Sequence, residues 1–252
     1  MTRNVKISFV CHTPFRQHRV ALHRQNAHVL EIISATRFTE ADFWAKSALG
    51  LSLRRMGFDT RLRLHVEFSN SRGLPDIFNP RIASAAPSDF LLFVHDDVWL
   101  EDYFLFDRIA AGLQTYEVLG VAGNRRRLPR QPAWAFIDER FTWDDHSNLS
   151  GAVAHATNPL GAVSWFGPAP AECELLDGVF LAARQSTLLE RGVRFDPQFD
   201  FHFYDMDFCR TARRAGLRLG TWPICVTHQS GGAFGGAAWR AKYRLYLEKW
   251  GE

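Results

Sequence analysis

The chain has 252 residues, of which 46% are hydrophobic, 23% charged and 13% aromatic, and this composition excludes a disordered or fibrous protein. Its net charge of +3 is too small to indicate a nucleic-acid partner, and no apolar run approaches the roughly 18 residues of a membrane span. Its four cysteines lack the close spacing of a zinc site or a disulfide framework, so we expect a cytoplasmic protein.

Strand-like and helix-like segments alternate through the first two-thirds of the chain, which predicts βαβ units around a mostly parallel sheet. Thr39, followed three residues later by Asp42, predicts the start of a helix that ends near Gly57. Three strands are expected in this part of the chain, at residues 6–12, 30–36 and 61–68.

A short helix over 78–85 is expected to precede the segment 89–94, whose single charge in six residues is typical of a strand buried on both faces. His95, Asp96 and Asp97 follow directly. Polar residues at the carboxyl end of a central parallel strand lie where ligands bind in open α/β sheets. The two carboxylates suggest a divalent cation, with Mg²⁺ or Mn²⁺ favoured by oxygen ligands. The alternative is an exposed acidic turn that caps the next helix.

The second half of the chain is less regular. Between Arg125 and Cys173 the periodicity fails, which indicates a functional loop region or a small subdomain. The remaining predicted elements are a helix over 106–113, a strand over 118–124, a strand over 175–183, a helix over 204–215 and a strand over 221–228.

Two acids, Asp205 and Asp207, lie at the start of the helix predicted over 204–215. Residues two apart on a helix point about 200° away from each other, so one can face a cleft while the other faces the protein. Both could instead stabilise the helix terminus through its dipole. His228 at a strand end, and Asp177 before a glycine, are equally compatible with structural roles.

Four ordered segments together resemble the GT-A glycosyltransferases, in particular a family-2-like group of bacterial enzymes. The segments are GLPDIFNPRIASAAPSDFLLFVHDDV (73–98), LLDGVFLAARQSTL (175–188), HFYDMDFCRTARRAG (202–216) and VTHQSGG (226–232). The resemblance implies an α/β fold of the Rossmann-like nucleotide-diphospho-sugar transferase type, with a central, mostly parallel sheet flanked by helices. It also implies a single domain over 1–252, with a nucleotide-sugar-binding half (1–124) and an acceptor-binding and catalytic half (125–252).

The resemblance also implies a metal site that holds Mn²⁺ or Mg²⁺. Asp97 matches the second acid of the Asp-x-Asp motif, His95 stands where its first acid usually lies, and His228 looks like the family's metal-binding histidine. Asp96 is the weaker metal candidate, since its side chain falls on the opposite face of a strand. Contacts with the donor are implied for His12, Thr13, Asn79, Arg81, His95 and Asp96.

For catalysis, the resemblance places Asp205 where inverting members carry their base, preceded here by Tyr204 in place of the usual Glu. Contacts with the acceptor are implied for Asp177, Asp207 and Trp165. The implied reaction moves a sugar from a nucleotide-diphosphate donor, above all a UDP-sugar, to a hydroxyl of a glycan or lipid-linked acceptor. Four aromatic residues could stack on sugars or simply pack in the core: Trp134, Trp143, Trp165 and Phe166.

Two other functions compete with this interpretation. A nucleotidyltransferase is disfavoured because no glycine-rich, lysine-containing phosphate loop follows the N-terminal strand. A catalytically inactive module that binds a nucleotide or a polysaccharide is the stronger alternative. Basic and aromatic segments at 125–130 and 239–250 offer at most peripheral contact with the inner membrane face.

Overall fold

A computed structural model describes residues 28–84 and 89–252 of the chain. The strand predicted at 6–12, together with His12 and Thr13, lies outside these ranges. Within them the chain forms two β-sheets flanked by helices, which confirms the predicted α/β architecture with a central sheet.

The first sheet has seven strands in the described ranges. In spatial order they are β2 (Leu62–Glu67), β1 (Leu30–Ala35), β3 (Phe90–Val94), β11 (Phe180–Arg184), β5 (Val118–Gly120), β12 (Leu219–Thr221) and β9 (Ala171–Cys173). β1 runs parallel to β2 and β3, and β12 runs parallel to β5, whereas β11 and β9 are antiparallel to their neighbours. The described sheet is therefore mixed rather than mostly parallel. The chain enters β11 from a second sheet, at the end of this sheet where β3 leaves it, so β11 runs opposite to β3.

Hydrophobic burial explains the centre and the edge of this sheet. Every residue of β3 is buried, as expected for an uninterrupted apolar strand, and β1 is buried except at its last residue. β2 forms an edge and is partly exposed along its length, as its alternating charges predict. Aromatic side chains extend the core from β3, since the ring of Phe93 packs on those of Phe78 and Phe195 at centroid distances of 4.9 and 5.0 Å.

The helix predicted after Thr39 is divided into α1 (Glu40–Lys46) and α2 (Ala48–Arg55). The Thr39 hydroxyl accepts a hydrogen bond from the Asp42 amide at 3.2 Å, which confirms the predicted cap. Ser47 causes the division, since its backbone is extended and its hydroxyl accepts from the Gly50 amide at 2.9 Å to cap the second helix. The next helix, α3 (Leu74–Ile82), begins earlier than predicted.

A second sheet contains six strands in the described ranges. They are β10 (Leu175–Leu176), β6 (Ala122–Asn124), β7 (Leu149–His155), β13 (Val226–His228) and β4 (Val98–Leu100) in spatial order, with β8 (Ala162–Gly167) paired to β7. Residues 125–173 contain three strands: β7 and β8 of this sheet and β9 of the first. The prediction of an irregular region there is therefore wrong in part. The strands predicted over 118–124, 175–183 and 221–228 each divide, because the chain crosses between the two sheets.

Four further helices complete the described fold: α4 (Leu105–Gly112), α5 (Gln185–Glu190), α6 (Tyr204–Arg214) and α7 (Ala237–Trp250). Asp207 on α6 is fully buried and accepts from Lys249 Nζ at 2.7 Å and from Trp250 Nε1 at 2.9 Å. These contacts join α6 to α7. No helix among the described residues combines the length and apolarity needed to cross a bilayer.

Replacing Asp207 with alanine is expected to lower the free energy of unfolding by about 3 kcal/mol, because Lys249 and Trp250 lose a buried anionic partner. Thermal unfolding followed by circular dichroism measures the effect. Glu248→Ala is the matched control, since it removes one exposed carboxylate from α7, the helix that Asp207 contacts. Equal melting temperatures for the two variants would contradict the structural role of Asp207.

Candidate active site

A cavity of about 500 Å³ opens where the two sheets meet. Its polar lining comes from three groups of residues: those that follow β3, those at the start of α6, and the glycine-rich segment 230–234. Aromatic residues also line it, among them Trp134, Trp143 and Phe166. Most of the polar residues predicted from the sequence therefore share one cavity with three of the four predicted aromatic residues.

His95, Asp97 and His228 form a candidate metal centre, since each offers a ligand atom within 4.8 Å of the others. Strand pairing brings them together: β13 is antiparallel to β4 with His228 opposite Val98, which places the histidine beside Asp97. His228 Nε2 lies 3.3 Å from Asp97 Oδ1 and 3.1 Å from Ser230 Oγ. One carboxylate and two imidazoles are common ligands of divalent transition-metal ions.

Asp97 and His228 influence each other's protonation. Burial lowers the pKa of His228, but the hydrogen bond and charge of Asp97 outweigh it and raise that pKa. Burial alone would raise the pKa of Asp97, but the hydrogen bond and charge of His228 outweigh it and lower the pKa to about 2. The carboxylate is therefore ionised throughout the physiological range. Burial is the main factor that lowers the pKa of His95, so its imidazole is neutral, which is the form that binds metals. Asp96 also lines the cavity, and burial raises its pKa.

Asp205 lies at the first turn of α6 with its carboxylate held by two backbone amides. Gly178 N donates to Oδ2 at 3.0 Å and Met206 N donates to Oδ1 at 2.8 Å. Burial, and secondarily the nearby charge of Asp177, raises the pKa of Asp205 to about 7. Burial thus outweighs the helix terminus, which would lower this pKa. A carboxyl group that titrates near neutrality can accept a proton far better than an ordinary aspartate.

Asp177 is held in place between the two sheets. Its Oδ2 accepts from Trp134 Nε1 at 2.9 Å, and its Oδ1 accepts from the amide of Val179 at 3.0 Å. The tryptophan and the carboxylate both line the cavity. This contact fixes an acidic side chain against an aromatic wall, next to the carboxylate of Asp205.

The hydroxyl of Tyr204 connects the metal cluster with the turn after β10. It lies 2.7 Å from His95 Nε2 and donates to the carbonyl oxygen of Gly178 at 2.7 Å. Gly178 therefore contacts Tyr204 through its carbonyl and Asp205 through its amide. A Cβ atom at this position would lie 2.4 Å from the tyrosine oxygen and 2.8 Å from Asp205 Cβ, so only glycine fits.

Phe203, immediately before α6, has the left-handed backbone angle φ +66° that a bulky side chain rarely adopts. Its ring packs on three aromatic rings of α7 at centroid distances of 5.1 to 5.5 Å: Trp239, Tyr243 and Tyr246. This packing holds the strained residue, which sets the direction in which α6 begins.

Four predicted site residues do not line the cavity. Asp207 instead binds Lys249 and Trp250 of α7. Both polar atoms of the Asn79 amide bind the backbone of Phe195, at 2.8 and 2.9 Å, and Arg81 pairs with Glu31 at 2.6 Å. Trp165 lies on the outer face of β8, where it is 60% exposed, because Ser164 and Phe166 occupy the face toward the cavity.

The sequence prediction missed His155 at the end of β7. Its Nδ1 lies 3.2 Å from Ser164 Oγ and its ring centroid lies 6.1 Å from that of His228, so a third imidazole borders the metal cluster. Its strand contains mostly small residues and was expected to be irregular. Only recognition of the pairing between β7 and β13 would have placed this histidine.

No protein-family model matches the chain, and no curated protein matches it. Among solved structures, it is similar to the crystal structure of GalNAc-T7 with UDP, GalNAc and Mn²⁺, at 10% identity over 90% of this chain and 49% of that one, with a TM-score of 0.49. It is also similar to the mannosyltransferase PcManGT from Pyrobaculum calidifontis in complex with GDP-Man and Mn²⁺, at 14% identity over 86% and 61% of the two chains, with a TM-score of 0.45. The chain spans less than two-thirds of either protein.

Replacing Gly178 with alanine is expected to destabilise the protein by about 2 kcal/mol, because the added Cβ forces Tyr204 and Asp205 apart. Chemical denaturation measures the loss. Gly57→Ala is the matched control, since a Cβ there would meet its nearest neighbour at 3.6 Å, an ordinary contact. A Gly178 variant as stable as the Gly57 variant would show that the turn can accommodate a Cβ atom.

Proposed function

We propose that the chain is a metal-dependent glycosyltransferase of the GT-A type that moves a sugar from a nucleotide-diphosphate donor to an acceptor hydroxyl. One observation carries the proposal: a His-Asp-His cluster able to hold a divalent cation shares a cavity with a carboxylate whose pKa is about 7. These are the two groups that such a transfer needs. The four ordered sequence segments described above point to the same class of enzyme.

In this proposal His95, Asp97 and His228 hold Mn²⁺ or Mg²⁺. The donor set fits a transition-metal ion such as Mn²⁺ better than Mg²⁺, since two imidazoles at close range accompany the ionised carboxylate and Mg²⁺ prefers oxygen ligands. When bound, the cation supplies neutralisation of the negative charge on the donor diphosphate. Asp96, beside the cluster in the cavity, is the remaining candidate for a donor contact among the described residues.

Asp205 is the proposed base. The acceptor oxygen forms a bond to the anomeric carbon of the sugar, the bond from that carbon to the diphosphate oxygen breaks, and the hydroxyl proton goes to the Asp205 carboxylate. Direct displacement of this kind inverts the anomeric centre. The amides of Gly178 and Met206 hold the carboxylate in one orientation. They thereby reduce the cost of aligning it with the acceptor.

The aromatic residues that line the cavity suit a carbohydrate. The Trp143 and Phe166 rings are stacked, 5.9 Å apart and inclined by 15°, and Trp134 meets Phe166 edge to face. Flat apolar surfaces of this kind pack against the C–H faces of sugars while Asp177 offers hydrogen-bond acceptors. We infer a glycan or lipid-linked acceptor, reached in the cytoplasm, with residues 1–124 serving the donor and 125–252 the acceptor.

The test of the donor site is thermal stability with UDP, GDP and dTDP, each with and without Mn²⁺. We expect a metal-dependent rise with one nucleotide, UDP above all, and its loss in Asp97→Ala. Ligand at one hundred times its dissociation constant adds about 2.7 kcal/mol, which corresponds to roughly 5 to 10 °C here. Asp76→Ala is the control, since it removes an exposed carboxylate outside the cavity.

A nucleotide-dependent rise without any sugar transfer would support the alternative, an inactive nucleotide-binding module. No rise with any nucleotide would count against the donor site altogether. A polysaccharide-binding module would then become the leading interpretation.

The pH dependence of transfer tests the base. Asp205 must be ionised to accept a proton, so the rate should fall below pH about 7 and approach a tenfold loss per pH unit at lower pH. Asp205→Asn should abolish transfer and keep the metal-dependent binding of nucleotide. An asparagine variant that transfers sugar at the natural rate would remove Asp205 from this role.

A further inference from the structure

The contacts of the Tyr204 hydroxyl determine where the protons lie. Its oxygen is 2.7 Å from the carbonyl oxygen of Gly178 and 2.7 Å from His95 Nε2. A carbonyl can only accept, so the single hydroxyl proton must point to Gly178. The tyrosine oxygen then has only lone pairs left for His95. The ring nitrogen that faces it must therefore carry a proton.

We propose that Tyr204 is a positioning residue that fixes His95 with its proton on Nε2 and so leaves Nδ1 as the nitrogen that can bind a metal. A neutral imidazole has one N–H and one lone pair, and the partner of the N–H decides which nitrogen is free. The proposal rests on the metal site assigned above to His95, Asp97 and His228. It adds the residue that prepares one of those ligands before any metal arrives.

Packing keeps the tyrosine hydroxyl from turning away. Tyr204 is 3% exposed, and its ring lies against Phe78 and Phe195 at centroid distances of 6.2 and 5.9 Å. Its acceptor is equally fixed, because the Gly178 amide is bound to Asp205. No alternative hydrogen-bond direction is open to the hydroxyl among these contacts.

The imidazole is also held from its own side. The ring of Phe201 stacks on His95 at a centroid distance of 5.9 Å and an angle of 25°. Stacking fixes the plane of the ring, and the hydrogen bond from Nε2 fixes its rotation within that plane. Removing a group that hydrogen-bonds a metal-binding histidine typically weakens metal affinity by roughly 10- to 100-fold.

The first measurement is the side-chain ¹⁵N NMR spectrum of the metal-free protein, with His95 assigned through the His95→Gln variant. We expect the natural protein to carry the His95 proton on Nε2, and Tyr204→Phe to show both tautomers. Tyr246→Phe is the matched control, because it also removes a buried tyrosine hydroxyl but lies outside the cavity. A proton on Nδ1 in the natural protein would overturn the proposal, whatever the metal does.

The second measurement is Mn²⁺ binding, by titration, to Tyr204→Phe, His95→Gln and the double variant. Tyr204→Phe should weaken binding by about tenfold or more, and it should have no further effect once His95 is replaced. The same loss in both backgrounds would show that Tyr204 does not act through His95.

The two proposals fail in different ways. Lack of Mn²⁺ binding by the natural protein, with the proton on Nε2, would overturn the metal site and with it the ligand role of His95. Binding of Mn²⁺ with the proton on Nδ1 would leave the metal site intact and overturn the role of Tyr204. Circular dichroism of each variant identifies any loss that comes from unfolding.

Discussion

The backbone of Gly178 sets the distance between the two chemical halves of the site. Its carbonyl oxygen accepts the Tyr204 hydroxyl, which reaches the histidine of the metal cluster, and its amide donates to Asp205. The residue lies where the chain leaves β10 in one sheet for β11 in the other, and there is no room for a side chain. Both sheets must therefore be in place before the cluster and the carboxylate can face each other.

Elements that depend on local patterns could be predicted from the sequence. The apolar run of β3 and the Thr39 cap are decided by neighbours within a few residues, and both were found. Three strands of the second sheet, β4, β7 and β8, were missed. β4 has only three residues, and β7 consists mostly of small residues. β7 pairs with β6 and β13, which precede and follow it by dozens of residues, and only its pairing with β8 is local.

The candidate site shows the same division. Asp97 follows β3, His228 ends β13 and Asp205 lies at the start of α6. Their positions alone left structural roles open, and it was the resemblance to GT-A glycosyltransferases that predicted one shared site for them. Which face a side chain occupies was harder to predict. Trp165 points away from the cavity because of the register of its strand, and Asp207 faces α7 because the two helices pack together. The contact between His95 and Tyr204 joins positions 109 residues apart and has no signature in the sequence.

The left-handed backbone of Phe203 ties the site to a helix that contributes little to its surface. The aromatic rings of α7 are what keep Phe203 in this conformation, so an opening motion that detaches α7 also releases the first turn of α6. Asp205 belongs to that turn. Amide hydrogens at the start of α6 should thus exchange with solvent together with those of α7, as one cooperative unit whose opening requires less free energy than global unfolding. A ligand that needs Asp205 in place would slow exchange in both helices, including the one it does not touch.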